Sequence, residues 1–342
     1  MASKYQRIKQ VLTGLKQPDY RYRQIMDAIF TRRIGEFEKM SMLPTPLRNA
    51  LVDQFGSAVC GIRPITETSA KQVGKVLFEM ADGRRIETVG LRYKRGWESF
   101  CVSSQCGCGF GCRFCTTGAL GFQRNLTADE ITDQLLYFHL NRHPLSSVSF
   151  MGMGEALANP HIYDALAILT DPQLFGLSQR RITISTIGVP SGIRLLTRSF
   201  PQVNLTFSLH SPFDEERSAI MPVNKRFPLQ EVMNVLDRHA QRTGRKIFIA
   251  YILLDGINDT PEHAGAIAGL LRGRDRWERL YNVDLIAYNP TDKTPQKFRQ
   301  TSHYKTKRFM EHLRAEGLQV TVRTQFGSNI DAACGQLYGK SI

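Results

Sequence analysis

Five cysteines lie within fifteen residues, in the run Cys101-Val-Ser-Ser-Gln-Cys-Gly-Cys-Gly-Phe-Gly-Cys-Arg-Phe-Cys115. Three of them, Cys108, Cys112 and Cys115, form a C-x3-C-x2-C pattern, and the glycines between them allow a tight turn around a bulky group. Clustered thiols in a sequence with no sign of secretion more often hold metal than pair as disulfides. The run therefore predicts a metal centre.

The number of thiols separates two kinds of metal centre. A structural zinc ion nearly always takes four ligands, so Cys106 or Cys101 would have to supply the fourth. An iron–sulfur cube held by three cysteines keeps one iron open for a further ligand. Ligand count and spacing favour the cube. A zinc-stabilised RNA-binding module without catalysis, and a simple electron carrier, are the alternatives. Cys60 and Cys106 are interpreted as structural.

Composition and charge narrow the class of protein. The 342 residues, 42% hydrophobic and 22% charged, are typical of a globular protein with one main domain and a smaller appendage. No apolar stretch is long enough for a signal peptide or a membrane span, which predicts a cytoplasmic protein without a membrane partner. The net charge is +14, and residues 1–96 carry 18 basic and 9 acidic side chains. This concentration indicates a surface for nucleic-acid phosphates.

Before the cysteines, the spacing of apolar residues changes from a helical pattern to a strand pattern. Residues 3–56 have apolar side chains at helical spacing, and four arginines flank the second predicted helix: Arg21, Arg23, Arg32 and Arg33. From residue 71 the pattern predicts strands at 75–80 and 84–92, joined at Asp82-Gly83. A further strand at 97–103 runs directly into the cysteines.

Strands and helices alternate after the cysteines. Together with the strand at 97–103, the pattern predicts strands at 147–151, 181–185, 203–209, 246–253 and 282–288. A last helix at 303–316 and a strand at 320–324 follow. Such alternation predicts an α/β fold with parallel strands and outer helices, an open or partial barrel. Ligands collect at the carboxyl ends of such strands. The residues at or just after the carboxyl ends of these strands are the cysteines, Gly154-Glu155, Ser185, Ser208-Leu-His210 and Asn289.

The cysteine pattern, with an aromatic residue (Phe114) before its last cysteine, resembles the signature of radical S-adenosylmethionine (SAM) enzymes. Four longer segments narrow the resemblance: Cys101-x6-Cys108, Phe150-Met-Gly-Met-Gly-Glu155, Ser208-Leu-His210-Ser and Ile330-Asp-Ala-Ala-Cys-Gly-Gln336. Together they resemble the dual-cysteine rRNA methyltransferases, the Cfr-type and RlmN-type enzymes, over nearly the whole chain.

The resemblance implies a partial (β/α)6 radical SAM barrel with a small, mainly helical N-terminal accessory domain. Residues 1–70 would form this basic, RNA-contacting domain, and residues 71–96 a β-hairpin extension. Residues 97–300 would form the barrel, and residues 301–342 a C-terminal segment that carries a methyl-accepting cysteine.

The resemblance also implies roles for individual residues. Cys334 would carry the methyl group as S-methylcysteine, Cys101 would resolve the adduct through a transient disulfide with Cys334, and Glu87 would accept a proton. One 4Fe-4S cluster would be held by Cys108, Cys112 and Cys115. SAM would be bound by Gly154, Glu155, Ser185, Ser208, Leu209, His210 and Asn289. Taken alone, Cys101, His210 and Glu87 are ordinary structural residues, so these roles depend on the motifs.

The implied substrate is adenosine 2503 of 23S rRNA, in naked or partly assembled large subunits, with a flavodoxin-type electron donor. Ala156 stands where the enzymes that methylate C2 usually have proline, and Cys106 where they usually have an aliphatic residue. Both departures favour methylation at C8, which typically confers resistance to ribosome-targeting antibiotics. The alternative is an RlmN-type C2 methyltransferase of 23S rRNA and tRNA.

Overall fold

Twelve strands are present in the part of the chain that this computed structural model describes, residues 2–274, 279–324, 330, 332 and 335–337. They are β1 (Arg63–Ala70), β2 (Val73–Glu79), β3 (Arg85–Arg92), β4 (Glu98–Cys101), β5 (Gln105–Gly107), β6 (Phe122–Asn125), β7 (Leu145–Phe150), β8 (Ile182–Thr186), β9 (Asn204–Ser208), β10 (Ile247–Leu253), β11 (Tyr281–Ala287) and β12 (Gln319–Val322).

Eleven α-helices accompany these strands in the described residues. They are α1 (Lys4–Gly14), α2 (Tyr20–Met26), α3 (Thr45–Phe55), α4 (Thr116–Ala119), α5 (Ala128–Leu140), α6 (Ile162–Thr170), α7 (Pro190–Ser199), α8 (Asp214–Ile220), α9 (Leu229–Thr243), α10 (Pro261–Leu271) and α11 (His303–Ala315). A π-helical turn, Asp27–Thr31, extends α2. No described helix is long and apolar enough to cross a membrane.

Ten strands form one sheet in the order β1-β2-β3-β4-β7-β8-β9-β10-β11-β12, and β5 pairs with β6 in a separate ribbon. From β4 to β12 all neighbours are parallel, which confirms the predicted α/β barrel and its six strands. β1 and β12 are the two edges of this sheet, so the barrel is open. β10 is buried along nearly its whole length, as parallel strands covered by helices are.

The antiparallel strands β1 to β3 extend the barrel sheet beyond β4. The expected hairpin at Asp82-Gly83 joins β2 to β3. Residues 63–70, which we expected to belong to the helical region, form β1. Its alternating polar sequence, Arg-Pro-Ile-Thr-Glu-Thr-Ser-Ala, is half-exposed at the sheet edge, so it lacks the apolar alternation by which strands are recognised.

The N-terminal helices are fastened to the barrel through α5. The Lys4 ammonium is buried, pairs with Asp133 of α5 and donates to the Val59 carbonyl (3.0 Å). The Lys4 backbone N–H donates to Asp129, also on α5. Helix α5 begins with a capping box, in which the side chains of Thr127 and Glu130 each accept a backbone N–H of the other residue. Helix α5 therefore anchors the basic N-terminal region to the barrel.

Candidate active site

The cysteine loop lies between β5 and α4 and makes a very close backbone approach to residue 121. Gly107 has φ +71°, and a Cβ there would lie 1.9 Å from the Gly121 carbonyl oxygen. The N–H of Cys108 donates to that same carbonyl (2.9 Å). Only glycine fits at 107, because a side chain would drive the loop away from β6. The loop that presents Cys108 is thus held by backbone contacts.

The three pattern cysteines line one cavity of about 170 Å³. Burial raises the pKa of Cys108 to about 12 and raises that of Cys112 well above its usual value, and repulsion between the three thiolates adds to both shifts. Three thiolates can coexist there only with a cation between them. Their chemistry therefore fits a positively charged iron–sulfur core.

Neither candidate for a fourth thiol lines this cavity. Cys106 is buried beside Arg124, Glu130 and Asp82, whose charges act on its thiol, and burial raises its pKa to about 11. Cys101 lines a second, larger cavity instead. The alternative four-thiol zinc arrangement therefore gains no support in the described residues, because neither Cys101 nor Cys106 lines the cavity of the three pattern cysteines.

Gly154 and Glu155 follow β7 and line the same small cavity. Burial raises the pKa of Glu155 to about 7, although hydrogen bonds with Thr186 and with the N–H groups of Ile187 (2.9 Å) and Leu157 (3.2 Å) oppose the shift. A buried carboxylate of this kind is suited to an ammonium group, which would restore its charge.

Gln105 fixes the position of Gly154 and Glu155. Its side-chain oxygen accepts the Glu155 N–H (2.9 Å), and its amide donates to Asn125 (2.8 Å). Gly154 has φ +95°, and a Cβ there would lie 2.5 Å from the Cβ of Gln105. The glycine is therefore required for the two loops to pack.

His210 follows β9 in a left-handed conformation, with φ +58°, and it is buried. Its Nδ1 accepts the Ile252 N–H (3.0 Å), and its ring packs edge-on against Phe114 at 4.9 Å. Burial, with help from the nearby charges of Arg217 and Arg323, lowers its pKa to about 3. The ring is therefore neutral with a proton on Nε2, and it lines the small cavity. Strained buried residues of this kind cluster at functional sites.

The other residues implied to bind SAM divide between the two cavities and the core. Ser185 and Ser208 line the small cavity, and Asn289 lines the larger one. Leu209 is fully buried and lines neither cavity; its backbone N–H donates to Ala250 (3.0 Å). The strand ends thus bring six of the seven together around two adjoining spaces.

The larger cavity has a volume of about 670 Å³ and adjoins the small one, since both are lined by Cys115, Met151 and Arg323. Cys101 faces it from β4. One continuous space therefore connects the thiol at 101 with the three-cysteine loop.

Glu87 lies on β3, on the strand face that leads to this cavity. Val89, two residues along the same face, lines the cavity and is paired with Cys101 across the sheet. The Glu87 carboxylate is buried and pairs with the Lys75 ammonium (2.9 Å). This ion pair supplies the counter-charge that a buried carboxylate needs.

Cys334 lies outside the described residues. Gly335, which follows it, lines both cavities, and its carbonyl accepts the Thr116 N–H (2.9 Å). The Leu337 carbonyl accepts the hydroxyl of Thr117 (2.6 Å). The residue next to Cys334 is therefore held against the start of α4, directly after the cysteine pattern.

Two arginines at the site were not predicted from the sequence. Arg217 is fully buried, and its guanidinium donates to the carbonyls of Ile187, Ser208 and Leu209, which joins the loops after β8 and β9. Its acidic neighbours in the sequence suggest a solvated helix, so no local signal marks it.

Arg323 follows β12 and lines both cavities. Its guanidinium donates to the Asp284 carboxylate through Nε (3.1 Å) and Nη2 (2.9 Å), and to the Met151 sulfur (3.3 Å). Arg323 therefore places a cationic side chain in the wall of both spaces.

An open α/β barrel with a three-thiol loop after its first strand defines a class, the radical SAM enzymes. The sequence model of the Radical SAM superfamily matches residues 102–266. A crystal structure of a radical SAM methyltransferase from Sphaerobacter thermophilus superposes with a TM-score of 0.92, at 35% identity, over 99% of this chain and 100% of that chain.

Two curated relatives narrow the class further. The ribosomal RNA large subunit methyltransferase Cfr of Clostridium botulinum (strain Loch Maree / Type A3) is 62% identical over 98% of this chain and 97% of its own length. The protein of the same name from Lachnoclostridium phytofermentans is 60% identical over 99% and 98%. The chain belongs to the Cfr family of radical SAM methyltransferases, which confirms the family predicted from the motifs. Membership implies a 4Fe-4S cluster and SAM as cofactors.

Proposed function

We propose that this protein is a methyltransferase of 23S rRNA that methylates C8 of adenosine 2503 through a methyl group carried on Cys334. One observation carries the proposal: Cys101 faces a cavity that adjoins the three-cysteine loop and is also lined by Gly335, the neighbour of Cys334. This reaction requires a cluster site, a thiol that carries the methyl group and a thiol that releases the product, all around one space. The names of the relatives supply the ribosomal RNA substrate.

The target carbon explains why a radical enzyme is needed. C8 and C2 of adenine are electron-poor amidine carbons that do not attack the methyl group of SAM as an amine would. A carbon radical, in contrast, adds readily to such a position. The protein must therefore hold a one-carbon unit on sulfur and convert it to a radical beside the base.

The cofactors are assigned by the chemistry of the cavity walls. Cys108, Cys112 and Cys115 would hold the 4Fe-4S cluster, and Glu155 would receive the ammonium of SAM. The remaining SAM contacts would come from Gly154, Ser185, Ser208, Leu209, His210 and Asn289. When bound and reduced, the cluster would supply the electron that cleaves SAM to methionine and a 5′-deoxyadenosyl radical, and would take one electron back from the RNA adduct.

Cys334 and Cys101 carry the protein's part of the reaction. The Cys334 thiolate attacks the methyl group of a first SAM and displaces S-adenosylhomocysteine. Loss of a hydrogen atom to the deoxyadenosyl radical leaves an S-methylene radical, which adds to C8 and joins protein to RNA. Glu87 accepts the C8 proton as one electron leaves. Cys101 thiolate then attacks the Cys334 sulfur, the sulfur–carbon bond breaks, and the released carbon takes a proton and becomes methyl.

Turnover needs two sources of electrons. A flavodoxin-type protein would reduce the cluster, and a dithiol would reduce the Cys101–Cys334 disulfide to restore both thiols. A cytoplasmic location suits both, because thiols and clusters are kept reduced there.

The choice of C8 over C2 depends on Cys106 and Ala156. Ala156 begins the turn after Glu155 and is buried, and Cys106 is buried in β5. Cys106 follows Gln105, which accepts the Glu155 N–H, and Ala156 follows Glu155 directly, so the identity of both residues can shift the base relative to the methylene carbon. Methylation at C8 in the peptidyl transferase region would make the host resistant to ribosome-targeting antibiotics.

Nucleoside analysis of rRNA tests the proposal. Protein-free 23S rRNA is incubated anaerobically with the reconstituted enzyme, SAM and a strong reductant, and its nucleosides are separated by mass spectrometry. We expect 8-methyladenosine, and none with the Cys334→Ala variant. Mainly 2-methyladenosine would support the C2 alternative, and unmodified RNA with the wild-type enzyme would refute the proposed activity.

A further inference from the structure

The hairpin between β3 and β4 leads from Cys101 to an exposed aromatic pair. Val89 and Cys101 are partners across the two strands, and further out the Tyr93 N–H donates to the Trp97 carbonyl (3.0 Å). Side chains four residues apart on a strand share a face, at a separation of ~13 Å. Trp97 therefore lies on the same face as the thiol at 101, nearer the surface.

The two rings form a flat platform. The Tyr93 and Trp97 rings are stacked, with centroids 4.1 Å apart and planes 9° from parallel. Tyr93 lines the larger cavity, whereas Trp97 is 42% exposed. One large apolar side chain thus extends the wall of the active-site cavity into solvent.

The tip of this hairpin is strongly basic. Arg92, Lys94 and Arg95 are all exposed. Arg92 lies 3.8 Å from Glu98, while Lys94 and Arg95 form no ion pair with any carboxylate in the described part of the chain. Cations beside an exposed ring are the combination that binds single-stranded nucleic acid, since the cations attract phosphates and the ring stacks on a base.

Two other exposed aromatics also have a cation over the ring, but they lie away from the active-site cavity. Arg21 is 4.9 Å from the Tyr20 ring in the N-terminal helices, Arg308 is 5.9 Å from the Tyr304 ring on α11, and neither tyrosine lines either cavity. A cross-strand pair that served only to stabilise the hairpin would require neither the cavity nor the exposed cations.

We propose that Trp97 is a stacking platform for an RNA base next to the target adenosine, with Lys94 and Arg95 on the adjoining phosphates. The proposal rests on the rRNA methyltransferase function above. A target base that turns out into the cavity leaves its neighbour in the strand without a stacking partner. Trp97 replaces that partner at the mouth of the cavity.

The test compares variants on a transcript of the 23S rRNA region around adenosine 2503. For Trp97→Leu we expect KM for RNA to rise about tenfold, with a much smaller change in kcat, because stacking on the base is lost. Trp97→Phe retains a ring and should stay within about threefold of wild type. Tyr304→Leu removes an aromatic side chain that is 69% exposed on α11, and serves as the matched control with wild-type kinetics.

A second measurement tests the proposal even if the hairpin of the Trp97→Leu variant folds poorly. In the Lys94→Gln/Arg95→Gln variant, the slope of log affinity against log salt should fall by about 1.4, from two lost phosphate contacts on a single strand. Trp97→Leu with an unchanged KM, or an unchanged salt slope, would overturn the platform while wild-type methylation continues. Absence of methylation by the wild-type enzyme would instead refute the underlying function.

Discussion

Burial decides the charge of the two side chains that follow β7 and β9. The pKa of Glu155 is raised to about 7, so its carboxyl is half protonated near neutral pH before SAM binds. The pKa of His210 is lowered to about 3, so its ring stays neutral and acts as a hydrogen-bond donor through Nε2. Neither state is evident from residue type, because both depend on the closure of the barrel around them.

The raised pKa of Glu155 predicts a pH-dependent affinity for SAM. An ammonium binds the ionised carboxylate, which is the minor form below pH 7 and the major form above it. We therefore expect Kd for SAM to be roughly fivefold to tenfold weaker at pH 6 than at pH 7.5, measured by calorimetry on the anaerobic holoenzyme. Glu155→Gln should bind SAM weakly and lose this pH dependence. An affinity for wild type that is flat over this range would contradict the assignment of Glu155.

At the scale of elements, the β5–β6 ribbon that carries the cysteine loop is held by one arginine. Arg124 on β6 donates to Asp82 in the β2–β3 turn (2.6 Å) and to Glu130 at the start of α5 (2.7 and 2.8 Å). The hydrogen bond from Arg124 is the main reason that the pKa of Asp82 lies well below its usual range. Hydrogen bonds from Arg124 thereby connect β6, the β2–β3 turn and the start of α5, next to the ribbon from which the cysteine loop begins.

Loss of the Arg124 hydrogen bonds should weaken the retention of the cluster by the protein. We expect Arg124→Met to release iron to a chelator about tenfold faster than wild type, since a partly buried cation with two carboxylate partners is removed. Arg84→Met is the matched control, because Arg84 pairs with the same Asp82 (2.7 Å) from within the hairpin turn. The control should release iron at the wild-type rate. Equal rates in all three proteins would show that the ribbon is held by its backbone contacts alone.

At the scale of the whole molecule, the barrel could be predicted because apolar residues recur at different spacings in its strands and in its helices. The strand predicted at 246–253 is β10 at Ile247–Leu253, and the helix predicted at 303–316 is α11 at His303–Ala315. Local periodicity and capping residues determine such elements within a residue or two. The carboxyl ends of the strands then converge by topology, which is why most residues of the candidate site were found by motif and position.

The elements that the sequence did not reveal are those whose partners are distant. β5 and β6 are short strands of three and four residues that exist because they pair with each other around the cysteine loop. Arg217 and Arg323 act through carbonyls and carboxylates on other loops, and their neighbours in sequence do not identify these partners. Tertiary contacts of this kind carry no local signal.

The central claim is that the carbon delivered to RNA passes through the Cys334 sulfur and is released by Cys101. The direct measurement is denaturing electrophoresis and mass spectrometry of protein and RNA after anaerobic turnover with SAM. We expect Cys101→Ala to accumulate a covalent protein–RNA adduct through Cys334, because the thiol that breaks the sulfur–carbon bond is missing. The Cys101→Ala/Cys334→Ala double variant should form none. Free RNA alone from Cys101→Ala, or methylated RNA from a protein that lacks Cys334, would contradict the account.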